Sequence, residues 1–398
     1  MADSAPAPAP AKGRRPRAAV ERSVLLGGRS VAAFLRGFWH KEALLVRGAV
    51  PDFAGLHSAA ELQALAARDD VESRLVVRDG RRWTFEPGPF RRADFKSLPA
   101  RNWTLLVQGV NLHDDATDAL LRRFSFLPYA RLDDLMVSYA APGGGVGPHF
   151  DSYDVFLLQG FGRRRWRYGP QDDLELKPGL PVKILRRFAP AHDDVLVPGD
   201  MLYLPPRFAH DGVAVDTCTT YSIGFRAPST NELAGAFLDF LRDEVDLDGR
   251  YADPDLAPTR EPARIGAPML ARCARELGRL AWTRSTVARF LGCWLSEPKP
   301  TVFFDPPPRP RPLAAFGRAL ARDGARLDRR TQLLYDDRQL FINGSSHAWP
   351  DDDAGVKALR RLANERSLPP AAAAALSAGC VALLHQWHCD GYLDTAAG

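Results

Sequence analysis

Apolar and polar positions change period twice along this chain of 398 residues. In the first third, short helical stretches mix with single strands. "SVAAFLRGFWHKEALLVRGAV" (30–50) predicts an amphipathic helix followed by a short apolar strand, and "AAELQALAARDD" (59–70) predicts a second helix. "SRLVVRDGRRWTFEPG" (73–88) predicts a strand–turn–strand unit with Asp79-Gly80 as its turn. "NWTLLVQGV" (102–110) predicts a strand, and "DDATDALLRRFSFL" (114–127) a helix opened by acidic residues.

From Asp134 to Arg226 the period falls to two. "DLMVSYAAP", "HFDSYDVFLLQG", "RRRWRYG", "DDVLVPGDMLYLPP" and "CTTYSIGFRAP" predict closely spaced strands separated by Gly and Pro turns, as in a β-sandwich or barrel. Beyond Pro228 the helical period returns over 229–245, 263–282 and 284–297. "DPPPRPRP" (305–312) reads as a stiff linker. After it come a helix, a hairpin over "TQLLYDDRQLFING" (331–344) and two more helices, a small winged-helix-like pattern. No internal repeat is visible.

Composition narrows the class. The chain is 45% hydrophobic and 25% charged, values of a soluble globular protein, and no apolar run reaches membrane-spanning length. The opening "MADSAPAPAPAKGRRPRAAV" lacks an apolar core and predicts a disordered tail rather than a secretory signal. Five scattered cysteines without a CxxC pair argue against a disulfide framework and for a reducing cytoplasm. The net charge of +5 is mild, and part of it lies in the tail. It fits contact with RNA or a ribonucleoprotein, and it fits simple solubility equally well.

Candidate chemistry centres on His149 and Asp151, in "GVGPHFDSYD". On a strand, His149, Asp151 and Tyr153 share one face, so an imidazole and a carboxylate reach one metal. A third ligand completes a facial triad that leaves positions open on Fe(II). His210 in "PGDMLYLPPRFAH" is the candidate, delivered at the end of an apolar strand after a Pro-Pro break.

The same parity sorts the arginines of "GRRRWRYG". Arg164 points inward with Trp166 and Tyr168, whereas Arg163, Arg165 and Arg167 form a solvated face or a docking surface. A buried arginine needs an anion, and a dicarboxylate such as 2-oxoglutarate would supply one through a bidentate fork. The alternatives are ordinary: His149 as a turn residue, His210 as a loop histidine. "PGGGVG" (142–147) reads as a turn rather than a phosphate loop, since no GK[ST] follows it. His385, His388 and Cys389 in "HQWHC" read as a helix-end cluster without function, because no fourth ligand is evident.

"FWHKEALLVRGA", "DLMVSYAAPGGGVGPHFDSYDVFLLQGFGRRRWRYG", "PGDMLYLPPRFAHDGVA" and "YSIGFRAPS" together resemble the JmjC-type ribosomal oxygenases, in particular the bacterial YcfD subgroup of ribosomal-protein arginine hydroxylases. The resemblance implies a mainly β core with α: a double-stranded β-helix (cupin) domain at 23–228, a helical dimerisation segment at 229–304 and a winged-helix-like domain at 305–398, after a disordered tail at 1–22. It implies O2-dependent hydroxylation with Fe(II) held by His149, Asp151 and His210. The cosubstrate 2-oxoglutarate falls to Arg164 and Ser138, and the target arginine to Asp134, Tyr153 and Ser222. The partners it implies are a large-subunit ribosomal protein as substrate and a second copy of the chain, in the cytoplasm, with no membrane and no required nucleic acid. Histidyl hydroxylation, demethylation and a non-catalytic cupin binding module are the rival readings. Ser152 and the sequence "QGFG" (159–162) depart from the subgroup's pattern, away from the expected ligands.

Overall fold

A computed structural model describes residues 24–395, so the tail expected at 1–22 lies outside the described residues. The chain divides into two compact units at Ala227/Pro228.

The first unit opens with α1 (Val31–Gly37), capped by Ser30, then β1 (Leu44–Val46) and α2 (Ala59–Leu65), which starts with a Ser58/Glu61 capping box. β2 (Ser73–Asp79) and β3 (Arg82–Pro87) form the expected hairpin, with Gly80 in the left-handed region that its tight turn requires. α3 (Arg92–Lys96), β4 (Trp103–Val107) and α4 (Asp115–Arg122) follow, the last capped by Asp114. Seven strands complete the unit: β5 (Leu132–Ala140), β6 (Val155–Gln159), β7 (Arg164–Pro170), β8 (His192–Leu196), β9 (Met201–Leu204), β10 (Phe208–Ala214) and β11 (Cys218–Phe225).

These strands make two antiparallel sheets, a large one in the order β1-β9-β6-β11-β5-β4-β2-β3 and a small one in the order β10-β7-β8. Alternation assigns the two faces of the large sheet. Leu135, Val137, Phe156, Leu158, Tyr203, Tyr221 and Ile223 pack outward against Phe34, Leu62 and Phe124 from the helical layer. Val155, Leu157, Leu202 and Leu204 turn the other way and meet Trp166, Tyr168, Leu196 and Phe208 of the small sheet. The two sheets therefore face each other across a second core, and the residues near that interior are where a ligand can be enclosed.

The second unit contains three helices, Thr230–Glu244, Ala267–Leu277 and Arg284–Ser296, then a fourth at Leu313–Asp323. The hairpin expected at 331–344 forms, and a third strand, Ser345–Ala348, extends it. Helix Arg284–Ser296 lies on this sheet, where a Cβ on Gly292 would collide with the Phe341 ring. Helices Asp353–Glu365, Pro370–Ala373 and Ala378–Cys389 close a core around Phe316, Leu359, Leu384 and Trp387.

Candidate metal and dicarboxylate site

The structure corrects two local expectations. Residues 149–154 do not form a strand, and β6 begins only at Val155. His149 instead makes a single bridge: its N–H donates to the His210 carbonyl at 2.9 Å, and the His210 N–H donates back to the His149 carbonyl at 2.8 Å. Pro148 cannot donate to a ladder, and Gly147 has a φ of +82°, so the chain turns here rather than running straight. His210 is not at the end of the strand before the Pro-Pro break but inside the following one, β10, where it pairs with Tyr168.

The convergence survives both corrections. His149, Asp151 and His210 each offer a ligand atom, all within 4.8 Å of one another, and they form the one such cluster among the described residues. The two imidazole rings lie 4.2 Å apart, and Asp151 Oδ2 is 3.7 Å from His210 Nε2. Each ring has its Nδ1 next to a main-chain carbonyl, Gly147 O at 2.8 Å for His149 and Phe208 O at 2.9 Å for His210. A carbonyl only accepts, so both Nδ1 atoms carry the proton and both Nε2 lone pairs are left for a metal. Burial, reinforced by His149, pushes the pKa of His210 down to about 4, which keeps it neutral as a ligand must be. Two neutral nitrogens and one carboxylate suit Fe(II) with open positions.

β7 distributes its side chains as the parity argument requires. Arg164 is 5% exposed beside Trp166 and Tyr168, while Arg163, Arg165 and Arg167 face outward and pair with Asp216, Asp193 and Asp211. That outer face is thus a ladder of ion pairs rather than a free basic surface. Arg164 is different: its Nε and Nη2 are buried and have no hydrogen-bond partner, and its guanidinium only overlies the Trp166 ring at 5.8 Å. An uncompensated buried cation is costly, so the interior is built for an anion that completes it.

Ala214, the β10 partner of Arg164, packs against Ala140 and Cys218 at the end of the large sheet. Ser138 lies two residues from Ala140 on the same face, its hydroxyl 3.4 Å from the Thr220 carbonyl. Thr104, opposite Ala140, adds a buried hydroxyl with no partner, a feature that sequence reasoning missed because it shows no local signature.

Asp134 and Ser222 lie on one face at the other end of β5, and Tyr153 stands in the loop before β6, 40% exposed. Asp134 is 3% exposed, and Gln108 Nε2 donates to its Oδ2 at 2.8 Å. Arg74 in turn donates to Gln108 Oε1 at 2.7 Å, so a relay from β2 and the residue just past β4 orients the carboxylate. Ser222, opposite Met136, shares this face. Burial of its hydroxyl and the nearby Asp151 and Asp134 carboxylates raise the pKa of Tyr153 well above its usual range, while the residue as a whole stays exposed. Neither Gln108 nor Arg74 was legible beforehand, because their contacts span 26 and 34 residues.

In the second unit, His385, His388 and Cys389 form no ligand set. His385 Nε2 is bound to the Arg311 carbonyl at 2.7 Å, and His388 stacks on Phe316 with its centroid 5.0 Å away.

Comparison with known proteins agrees with this geometry. Residues 119–233 match the JmjC domain model, and residues 279–394 match the ROXA-like winged helix. The ribosomal protein uL16 3-hydroxylase of Escherichia coli K12 is 39% identical over 281 residues, covering 70% of this chain and 74% of its own. The crystal structure of E. coli YcfD superposes with a TM-score of 0.79 at 32% identity, over 92% of this chain and 98% of YcfD. The structure of YcfD, a ribosomal oxygenase, in complex with cobalt and 2-oxoglutarate gives a TM-score of 0.76 at 32% identity, over 91% and 97% of the two chains. The sequence match to the uL16 3-hydroxylase over 70% of the chain and the structural match to YcfD over 92% of it show that the chain belongs to the JmjC ribosomal oxygenases.

Proposed function

We propose that this chain is an Fe(II)- and 2-oxoglutarate-dependent oxygenase that hydroxylates an arginyl residue of a large-subunit ribosomal protein, a cytoplasmic substrate. The observation that carries it is the buried, unpartnered Arg164 guanidinium enclosed in the same two-sheet interior as the His149/Asp151/His210 cluster. His149, Asp151 and His210 would hold the iron, and Arg164 would fork-bond the distal carboxylate of 2-oxoglutarate, with Ser138 and Thr104 beside it. Once bound, the iron and cosubstrate supply an O2-derived oxidant that replaces C–H by C–OH while 2-oxoglutarate becomes succinate and CO2.

The chain's own contribution is positioning. Carbonyls of Gly147 and Phe208 lock the ligand tautomers, and the reciprocal bridge between His149 and His210 fixes their spacing. Asp134, aligned by Gln108, neutralises a guanidinium, Tyr153 supplies a planar ring for it to stack on, and Ser222 accepts from it. Holding the target carbon close to the metal is what makes a C–H reaction selective. An acidic group paired with an aromatic plane favours arginine over a histidyl target. The apolar side chains Leu238, Met269, Leu270 and Leu277, exposed on the helices of 229–304, support a second copy of this chain as the occupant of that face.

The test is turnover followed by mass spectrometry. The protein with Fe(II), ascorbate and 2-oxoglutarate should add about 16 Da to arginine in a uL16-derived peptide, as one oxygen atom requires, and His210→Ala should add nothing. Consumption of 2-oxoglutarate without peptide modification would keep the oxygenase and reject the arginyl target. No binding of 2-oxoglutarate at all would leave a non-catalytic cupin.

A further inference from the structure

A cavity lies on the outer side of the small sheet. It measures about 500 Å³ and is lined by Arg78, Arg81, Trp83, Arg167 and Lys177, together with the Gly143–Pro148 turn. Asp211 is its single carboxylate, and Arg167 already neutralises it at 2.5 Å. Three positive charges are therefore left over. Arg81 and Lys177 are exposed, and Arg78 lies over the Trp83 ring at 5.7 Å. Trp83 also packs across Gly147, where an added Cβ would come within 3.2 Å of the indole.

This cleft is separate from the arginine pocket but shares a wall with the metal cluster. On β10, His210 points inward and Asp211 outward, and Gly147 and Pro148 lead directly into His149. Its charge is opposite to that of the Asp134 pocket. A cationic ribosomal-protein loop drawn to Asp134 is repelled here, so the occupant is an anion that accompanies that loop. The cations of Arg81 and Lys177 suit phosphates, and the Trp83 ring that lines the cavity offers a base a surface on which to stack. An acidic peptide would satisfy the charges and leave the aromatic plane unused.

We propose that this cleft binds the phosphodiester backbone of single-stranded RNA beside the active site, so that the enzyme reads a ribosomal protein together with its RNA. The choice of RNA rests on the ribosomal substrate proposed above. The test uses the full chain and a 5′-fluorescein-labelled 12-nucleotide single-stranded RNA of mixed sequence, followed by anisotropy across a salt series. Wild type should bind with a clear salt dependence. Arg81→Glu/Lys177→Glu should bind at least about 10-fold more weakly, with a salt slope smaller by about 1.4, since each phosphate that the protein no longer neutralises lowers the slope by about 0.7. The double variant should still hydroxylate free uL16 peptide at the wild-type rate, which certifies its fold.

Equal RNA binding by the two proteins would overturn the proposal, since the RNA would then sit elsewhere, for example on the basic tail. Displacement of the RNA by an equal concentration of a 12-residue polyglutamate would also overturn it, in favour of an acidic protein partner. Loss of peptide hydroxylation in wild type as well would count against the proposed function and leave the RNA result to stand on its own.

Discussion

Arg164 is the residue whose environment says most. Three neighbouring arginines, Arg163 just before the strand and Arg165 and Arg167 on it, carry the same charge, yet each has an aspartate, and only the inward Arg164 lacks a partner. Lysine keeps the charge and loses the fork, so Arg164→Lys should raise the Kd for 2-oxoglutarate by about 10- to 100-fold, the size of one charge-assisted hydrogen bond. Arg165→Lys should leave it unchanged; calorimetric titration of both variants checks the contrast. This distinction was legible in the sequence because a two-residue period and one tryptophan sufficed to orient the strand. The Arg74–Gln108–Asp134 relay was not, because it joins β2, the residue just past β4 and β5, whose neighbourhood only the sheet order creates.

Elements explain where local pattern misled. "HFDSYDVFLLQG" alternates like one strand, but its first half has no ladder partner beyond the single bridge to His210, and a strand without a partner is a loop. The next strand gives the opposite lesson. β10 contains Gly212 where a strand would favour a branched residue, and register explains it: Gly212 faces Trp166, whose ring lies 2.6 Å from where a Cβ would be. Gly212→Val should push the indole away from its place between Arg164 and Tyr168, lower stability by about 1–3 kcal/mol as overpacking does, and weaken 2-oxoglutarate binding with it. Denaturant melts with and without 2-oxoglutarate would show both effects; an unchanged midpoint would mean that Trp166 is not the wedge holding β7.

At the scale of the whole chain, period and punctuation were enough to separate a strand-rich region from a helical one near Pro228, where the two compact units divide. What they could not show is that helix Arg284–Ser296 packs on the later hairpin, an approach that depends on a missing side chain at Gly292. Leu270→Glu/Leu277→Glu places charge on the exposed helical face and should shift the chain from twice the monomer mass to the monomer mass in light scattering, with peptide turnover as the check on folding. A dimeric mass in the variant would move the interface elsewhere. The unmet guanidinium inside the barrel has a consequence beyond catalysis. A fold that keeps one charge unneutralised until a metabolite arrives is more persistent when that metabolite is plentiful, because ligand binding lowers the population of opened molecules that proteases can cut. The abundance of this protein would then follow the carbon supply of the cell without any change in its synthesis, and the rise in melting temperature at a fixed 2-oxoglutarate concentration, smaller in Arg164→Lys than in wild type, is the laboratory measure of that link.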